Sequence, residues 1–356
     1  HAMSTAVGAR PALVWAVNIS VLLLVAIWTI PTLGILVSSF RDKDQLVVSG
    51  WWTALTPSEQ SMMARAAPPD EAVQQHGQWV ISGNVFGENT GRVSAFGTSI
   101  QRPGEFEPGT SAEMDGGMIT IEENGDYSIT YPEQPEGRRG ERLFFTSVEP
   151  PKFTTANYET VLFSEGIGQS FINTMTVTIP ATVIPILIAA YAAYALSWME
   201  FPGRALLLAT IVGLLVVPLQ MALIPLLRLY NDIGVGKSYI GIWLAHTGFG
   251  LPLAIYLLRN YIAGLPREII ESAKVDGATD FDIFRKIILP LSFPALASFA
   301  IFQFLWVWND LLVATVFLGN NEDQLVMTGR LRELLGSRGG NWEILTASAF
   351  VAIIFP

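Results

Sequence analysis

The stretch ESAKVDGATDFDIFRKIILP, Glu271–Pro290, is short, charged and interrupted by a glycine, and it lies between long apolar runs. Pro266, just before it, suits the first position of a helix, where its missing N–H removes no hydrogen bond. We therefore expect a short helix over Arg267–Val275. Gly277 stands where a helix exits through a left-handed residue, and Thr279 is placed to cap the next helix. The pattern predicts two helices joined by a tight turn.

This elbow, residues 265–290, combines apolar and polar sides. The apolar positions are expected to be Ile269, Ile270 and Ala273 in the first helix and Phe281, Phe284, Ile287 and Ile288 in the second. Arg267, Glu271 and Lys274 form the polar edge, and Asp282 completes a capping box with Thr279. A compact, half-polar segment of this kind indicates a docking surface rather than a passive loop.

The composition around the elbow is that of a membrane protein. Of the 356 residues, 51% are hydrophobic and 15% are charged, whereas soluble domains carry about 25% charged residues. The chain has no cysteine and only three histidines, so disulfides and thiolate metal sites are excluded and no metal site is predicted. The leading His-Ala-Met resembles a cloning remnant, with Met3 as the expected native start.

Uncharged runs predict the membrane spans, since a spanning helix needs about 20 apolar residues. The first is the 30-residue run Pro11–Phe40. It is too long for a cleaved signal peptide. Burial of these runs inside a soluble protein is disfavoured, because they leave almost no polar surface to face water. The predicted spans are residues 11–40, 168–199, 205–228, 238–259, 287–318 and 342–356, the sixth being incomplete in this chain. Their prolines predict kinks.

The segment 41–151 differs in charge and periodicity. Residues 41–167 hold 9 Lys and Arg and 19 Asp and Glu, a balance of −10, while the remainder holds 12 of each. Alternating apolar and polar residues, clearest in MITIEENGDYSITY, predict half-buried strands. Asn124-Gly125 between two such runs predicts a type I′ hairpin. A disordered linker is the alternative. The fold class is therefore an α-helical membrane protein of about six spans with a small, acidic, β-rich insert after the first span.

Known catalytic and phosphate-binding motifs are missing from this sequence. It has no phosphate-binding glycine loop, Gly-x-Ser-x-Gly elbow, His-Glu-x-x-His or EF-hand spacing. Asp115, Glu122, Glu123 and Asp126 cluster near the predicted hairpin, where a solvated acidic face and a calcium loop are both possible interpretations. We expect no catalytic residues, no metal and no nucleic acid.

The elbow resembles the EAA loop of ABC importer permeases. The matching positions are Glu271, Ser272, Ala273, Gly277, Ile287, Leu289 and Pro290, with Ser272 where a second alanine is usual. The stretches NTMTVTIPATVIPILIAAYAAYALSWMEFPGR and FQFLWVWNDLLVATVFL resemble carbohydrate permeases of the maltose-transporter type. The resemblance covers residues 152–356 well, as a permease core, and 11–40 loosely. The insert resembles that of the alpha-glucoside branch.

This resemblance implies a sugar-importer permease, not an enzyme, that binds no cofactor itself. The implied partners are a second permease subunit, two ATPase subunits holding ATP and magnesium, and an extracytoplasmic sugar-binding protein. The elbow would seat in an ATPase subunit through Glu271, Ser272, Ala273, Asp276, Gly277, Ala278, Leu289 and Pro290. The bilayer would be the bacterial cytoplasmic (inner) membrane, with the N-terminus and elbow in the cytoplasm and the insert outside.

The positive-inside rule supports this topology weakly. The predicted inner segments hold seven basic residues, Arg10, Arg204, Arg259, Arg267, Lys274, Arg285 and Lys286. The predicted short outer loops hold five, Arg228, Lys237, Arg330, Arg332 and Arg338. The outer loop Gly319–Gly340 is expected to reach toward the binding protein, as the resemblance implies.

Polar residues in the fifth span predict a substrate path, because such groups within a membrane are functional suspects. Phe302, Gln303, Trp306, Asn309 and Asp310 recur at helical spacings and are expected to share a face. In the alternative interpretation, Trp306 and Trp308 are interfacial anchors and Asp310 snorkels to the outer surface. Two other functions also remain open: a permease for a non-sugar solute, and a membrane sensor with an external ligand-binding β domain.

Overall fold

The computed structural model describes residues 11–356, so Met3 and Arg10 lie outside the described residues. The chain divides into two compact units. The first comprises the described residues through Asn157 together with Asn341–Ala347, and the second comprises Tyr158–Gly340 and Ser348–Pro356.

The first unit begins with one long apolar helix, α1 (Pro11–Ser39), followed by the short helix α2 (Lys43–Val48). Eight strands follow: β1 (Ser58–Arg65), β2 (Val73–Gln75), β3 (Gln78–Asn84), β4 (Arg92–Gly97), β5 (Ser111–Met114), β6 (Gly117–Ile121), β7 (Asp126–Tyr131) and β8 (Arg142–Glu149). The β-rich insert expected from the alternating pattern is therefore present.

The strands form two antiparallel sheets over one core. The first sheet has the order β1-β8-β4, and the second has the order β2-β3-β7-β6-β5. Their inward side chains bury together, including Phe96 and Phe145 from the first sheet and Ile119, Ile121 and Ile129 from the second. Strand β8 alternates buried and less buried residues as one-sided burial requires. The insert is thus a small sandwich with its own hydrophobic core.

The turn between β6 and β7 differs from the expected type I′ turn. Gly125 has a positive φ of +91°, whereas the φ of Asn124 is not positive. The Gly125 N–H donates to the carbonyl of Glu122 at 3.0 Å. The turn is therefore centred on Glu123 and Asn124 and is followed by Gly125 in the left-handed conformation. This arrangement is the three-residue hairpin loop.

Two-residue turns with positive φ occur elsewhere in the same sheet. His76-Gly77 joins β2 to β3, and Asp115-Gly116 joins β5 to β6, with both residues of each pair at positive φ. The Asp-Gly pair is a strong hairpin signal, and this turn is one that the sequence prediction does not include.

The second unit is helical and continues from α3 (Ala156–Glu159), which crosses the boundary between the units. The helices that follow are α4 (Ile167–Trp198), α5 (Arg204–Leu214), α6 (Leu219–Asp232), α7 (Tyr239–Ala263), α8 (Arg267–Val275), α9 (Asp280–Ile283), α10 (Leu289–Leu291), α11 (Phe293–Trp308), α12 (Leu312–Phe317) and α13 (Met327–Ser337). The last helix, α14 (Trp342–Ile354), contributes residues to both units. Thr160–Ser164 and Phe284–Ile288 are π-helical.

Two predicted spans are bent rather than continuous. α1, α4 and α7 are each long and apolar enough to cross a membrane, and the count reaches five if each bent pair is one span. The predicted span 205–228 is broken into α5 and α6, which meet at 106° just before Pro218. The predicted span 287–318 bends by 74° around Ser292 and ends its helix at Trp308.

The helices of the second unit pack around α4 and α7. Small residues of α4, among them Ala189, Ala190 and Ala193, allow close approach to α7, as in membrane helix pairs. The aromatic ring of Trp308 stacks on Phe304 and on Phe355, at centroid distances of 5.6 and 5.3 Å, and these two rings also contact each other at 5.9 Å. These contacts position both the elbow and the polar residues of α11.

Candidate functional site

The elbow turns at Gly277 through backbone hydrogen bonds that close α8. Gly277 has φ of +81°. Its N–H donates to the carbonyl of Lys274, and the Ala278 N–H donates to the carbonyl of Ala273, both at 3.0 Å. This paired pattern is the Schellman motif. The helix begins at Arg267, with Pro266 as the preceding cap residue rather than the expected first residue.

Thr279 caps the second helix of the elbow as expected. Its hydroxyl oxygen accepts from the Asp282 N–H at 3.2 Å and donates to the Asp282 carboxylate at 2.8 Å. The carboxylate therefore binds the threonine hydroxyl. From Phe284 the helix takes the wider π form. The Leu289 N–H donates to the carbonyl of Phe284, five residues earlier. Pro290 follows and has no N–H to continue an ordinary helical ladder.

The apolar side of the elbow is anchored to the ends of α4 and α7. Ile270, Ala273, Ile283, Phe284 and Ile288 are buried in one cluster with residues of these two helices. The Tyr194 hydroxyl of α4 donates to the Asp280 carboxylate at 2.8 Å. The elbow is therefore fixed to the helical bundle and will move with it.

The outer side of the elbow is exposed and mixed in character. Glu271 pairs with Arg267 within the same helix, at 2.5 Å between Oε1 and Nε. Val275, which is not among the predicted site residues, is 87% exposed. Ile269 and Phe281 are exposed as well, contrary to the expected apolar face. This side of the elbow therefore presents both apolar and charged side chains to its surroundings.

The remaining predicted coupling residues divide between the two sides. Ser272, Asp276 and Gly277 are exposed, Ala273 is buried, and Ala278 is half-buried. At the far end, Leu289 is half-buried and Pro290 is exposed. The accessible part of the predicted coupling surface is therefore centred on α8 and the turn.

The five predicted path residues do not share one face. α11 ends at Trp308, and Asn309 and Asp310 lie in the break before α12. Phe302 and Trp306 are exposed, whereas Gln303, one position from Phe302, is buried. The helix ends here because polar side chains bind its terminal backbone groups: the Asn309 amide donates to the Leu305 carbonyl at 2.9 Å.

Gln303 joins three helices in the interior. Its amide nitrogen donates to the carbonyl of Ala181 in α4 at 3.1 Å and to that of His246 in α7 at 3.4 Å. Gly250 of α7 provides the space, since a Cβ there would stand 2.7 Å from Gln303 Oε1. Gln303 therefore braces the bundle at the crossing of α4, α7 and α11.

Asp310 caps α12 and does not snorkel. Its carboxylate accepts from the N–H groups of Val313 at 3.2 Å and Ala314 at 2.9 Å. It also lies 3.8 Å from Nε2 of His246, and both side chains are buried. His246 was not predicted as a site residue. Its partner lies 64 positions away, so no local sequence signal could have revealed the pairing.

Trp306 and Trp308 have different roles. Trp306 lines an apolar cavity of 370 Å³ together with residues at the bend between α5 and α6, such as Leu215 and Val217, and with Phe249 of α7. Trp308 is buried, and its indole N–H donates to the carbonyl of Ala352 at 2.9 Å. The interfacial-anchor interpretation is therefore wrong for Trp308.

Most of the second, helical unit, including the elbow, matches a known family. Residues 170–355, more than half of the chain, match the family described as binding-protein-dependent transport system inner membrane component. The chain belongs to this family. As such a component it is a multi-pass helical membrane protein with a transport role, and the resemblance to importer permeases is confirmed.

Relatives of this inner membrane component include an alpha-glucoside transport system permease protein, AglG, of Rhizobium meliloti (strain 1021). The two are 65% identical over 353 residues, which is 98% of this chain and 93% of the relative. The osmoprotective compounds uptake permease protein GgtD of Synechocystis sp. is 56% identical over 214 residues, 60% of this chain and 72% of the relative. A crystal structure of a bacterial ABC transporter for the polysaccharide alginate has a TM-score of 0.49 and 25% identity, covering 58% of this chain and 77% of that one.

Proposed function

We propose that the chain is a permease subunit of an ATP-driven importer for alpha-glucosides. The observation that carries this proposal is the 65% identity to an alpha-glucoside permease over 98% of the chain. The match includes the β-rich insert, since so long an alignment leaves almost no residue outside it. Uptake of a compound with an α-linked glucose is therefore the activity to expect.

In this proposal the chain performs no chemistry of its own. ATP and magnesium are held by two ATPase subunits in the cytoplasm, and closure of those subunits is transmitted to the permease. The exposed side of α8 and the turn at Gly277 form the contact with an ATPase subunit. The contacts of Ile270 and Ala273 with the bundle support this role, because a rigidly docked elbow transmits displacement to the spans.

The sugar path in this proposal is lined on one side by α11. Trp306 is the best-placed residue, because it borders an apolar cavity at the bend of α5 and α6 and an indole can stack on a sugar ring. Phe302 is exposed on the same helix and would face the path or a second permease subunit. Gln303, Asn309 and Asp310 bind backbone groups of the chain itself and act by holding this wall in place.

Orientation completes the proposal. With the elbow in the cytoplasm, and with α4, the bent pair α5–α6 and α7 each crossing once between it and the sandwich, the β sandwich lies outside the cytoplasmic (inner) membrane, and α1 crosses back to a cytoplasmic N-terminus. It would face the extracytoplasmic sugar-binding protein that delivers the substrate. The outer segment that includes α13 would lie on the same side.

Uptake of radiolabelled maltose by cells expressing the chain with its transport partners tests the proposed function. We expect uptake to disappear when the chain is deleted and to return on complementation. Unlabelled α-glucosides should compete, whereas an amino acid or a non-sugar osmoprotectant such as glycine betaine should not. Uptake of radiolabelled glycine betaine, without uptake of maltose, would favour the non-sugar permease. No uptake of any solute, despite assembly with an ATPase, would favour a sensor.

A further inference from the structure

A collar connects α1 to the β sandwich. We define the collar as residues 40–56, which leave α1, together with residues 150–157, which leave β8. Arg41, only 1% exposed, lies at its centre and donates to the carbonyl of Ser49 at 3.0 Å. The two collar segments also meet directly, because Arg41 forms an antiparallel bridge with Phe153.

Buried amides hold the two segments of the collar together. Gln45 donates to the carbonyl of Pro150 at 2.6 Å and accepts from the N–H of Lys152 at 3.0 Å. Asn157 donates to the carbonyls of Ser39 and Arg41, both at 2.9 Å. The collar is therefore a rigid continuation of α1 rather than a flexible linker.

On the outside of this polar frame is an open apolar groove of 650 Å³. Its walls include Leu36, Val37 and Phe40 from the end of α1 and Trp51, Trp52 and Leu55 from the collar. Trp51 lies flat against α1 because Gly34 has no side chain; a Cβ at Gly34 would come within 2.9 Å of the indole nitrogen. The groove is thus built onto the surface of the helix.

The rim of the groove exposes large apolar side chains. Leu55 is 83% exposed and Trp52 is 75% exposed. Both are costly to leave in water, at about 25 cal/mol per Å² of apolar surface. Both border the same groove, so they form a contiguous apolar surface with its walls, and such surfaces mark a contact with a membrane, a ligand or another protein.

The position of α1 identifies the partner. Its 29 residues extend about 44 Å at 1.5 Å per residue, longer than the hydrocarbon core of about 30 Å. The last turns of α1 therefore reach the membrane interface, and Trp is enriched at that level because its ring is apolar and its N–H is polar. The groove is continuous with the exposed apolar surface of α1, which favours hydrocarbon as its occupant.

We propose that this groove binds an acyl chain of the outer leaflet and that Trp52 and Leu55 insert into the membrane interface. The collar then seats the sandwich on the membrane surface at a fixed height. The polar frame of Arg41, Gln45 and Asn157 lies behind the groove and keeps it open. The occupant is a membrane lipid and not a segment of another protein.

Spin labelling tests this directly, because the chain has no native cysteine. Leu55→Cys and the control Ile100→Cys would each be labelled with a nitroxide in the full chain, reconstituted in phosphatidylethanolamine and phosphatidylglycerol vesicles. Ile100 is a matched control, since it is an apolar insert residue outside the groove and 70% exposed. We expect the label at position 55 to be severalfold more accessible to oxygen than to a water-soluble nickel complex, with the reverse at position 100.

A second measurement uses tryptophan fluorescence in vesicles whose acyl chains are brominated. The difference between the wild type and Trp52→Phe isolates the signal of Trp52, which should be strongly quenched by bromine and little affected by iodide in the water. Equal nickel accessibility at positions 55 and 100, or quenching of Trp52 by iodide alone, would overturn the proposal. A label at position 55 that is immobile and inaccessible to both reagents would show that a protein covers the groove, and would overturn it too.

Discussion

At Gly277 the backbone, and not the surrounding space, limits which residue is tolerated. Its φ is +81°, and no atom lies within 4 Å of an added Cβ. A left-handed conformation costs an ordinary L-residue about 1–2 kcal/mol and more for a β-branched one, while Asn adopts it readily. We expect Gly277→Val to lower substrate-stimulated ATP hydrolysis in the assembled complex, with Gly277→Asn close to wild type.

Gly277→Asn is a matched control, because Asn also adds a side chain but tolerates the left-handed conformation. A defect found only in Gly277→Val is therefore due to backbone strain. Membrane insertion and copurification with the ATPase should be measured for both variants. Unchanged stimulated hydrolysis in Gly277→Val, in a complex that assembles normally, would contradict a coupling role for the elbow.

Gln303 and Gly250 form a residue pair whose energetic coupling can be measured. Gly250→Ala places a Cβ against the Gln303 amide, and Gln303→Ala removes both of its hydrogen bonds to backbone carbonyls. Interhelical hydrogen bonds in membranes contribute about 0.6–2 kcal/mol. Each single variant should lower the thermal inactivation temperature in detergent.

In the double variant the Cβ at position 250 no longer meets the Gln303 amide. The double variant should therefore lose less stability than the two single variants lose in total. Full additivity would show that Gly250 does not accommodate Gln303. Wild-type stability of Gln303→Ala would show that the crossing of α4, α7 and α11 does not depend on this amide.

Among the elements, the β6–β7 hairpin contains a carboxylate, Asp126, that accepts hydrogen bonds from two asparagine side chains. Asn84 and Asn124 donate to Asp126 at 3.0 and 2.8 Å, and these bonds lower the pKa of the Asp126 carboxyl. A carboxyl whose pKa is lower in the folded state than in the unfolded state stabilises the fold. That stabilisation is fully present at pH values above the unfolded-state pKa of about 3.9. That contribution is lost as the pH falls through the folded pKa.

We therefore expect Asp126→Asn to reduce the stability of the insert near neutral pH and to lose less stability than the wild type between about pH 5 and pH 2. Thermal unfolding followed by circular dichroism measures both. Glu113→Gln, on the neighbouring strand β5, controls for the change in net charge. Parallel pH profiles for wild type and Asp126→Asn would refute the hydrogen-bond explanation.

The sandwich as an element should also fold without the helices. Its core is built from residues of its own two sheets, including Val93, Phe96, Ile119, Ile129 and Phe145. Residues 50–150 expressed alone should give a β-type circular dichroism spectrum and a cooperative thermal transition. A random-coil spectrum would show that the sheets depend on the rest of the chain.

For the whole molecule, the proposed orientation places the sandwich and the elbow on opposite sides of the membrane. Single cysteines at Glu113 in β5 and Lys274 in α8, both exposed, can be compared in a chain that has no other cysteine. A membrane-impermeant maleimide should label Glu113→Cys once the outer membrane is opened. It should label Lys274→Cys only after the inner membrane is also permeabilised. Labelling of both positions before that step would contradict the orientation.

Local signals were enough to predict the elbow and the strands. The turn at Gly277 depends on the φ of one residue, the cap at Thr279 on atoms three residues apart, and the half-buried strands on a period of two. Such features are formed by neighbours in the sequence, so residue types and spacing are sufficient to recognise them. Composition alone similarly identified the membrane class and the charged insert.

The environment of the α11 residues required the folded chain. Helical spacing placed Phe302, Gln303 and Asp310 on one face, yet the helix ends at Trp308 and the three side chains are separated. The break exists because Asp310 accepts from N–H groups of α12, and Gln303 is held by carbonyls of α4 and α7. These partners are up to 122 positions away. Periodicity describes a regular helix, whereas long-range hydrogen bonds and packing determine where the helix stops and which side of it is buried.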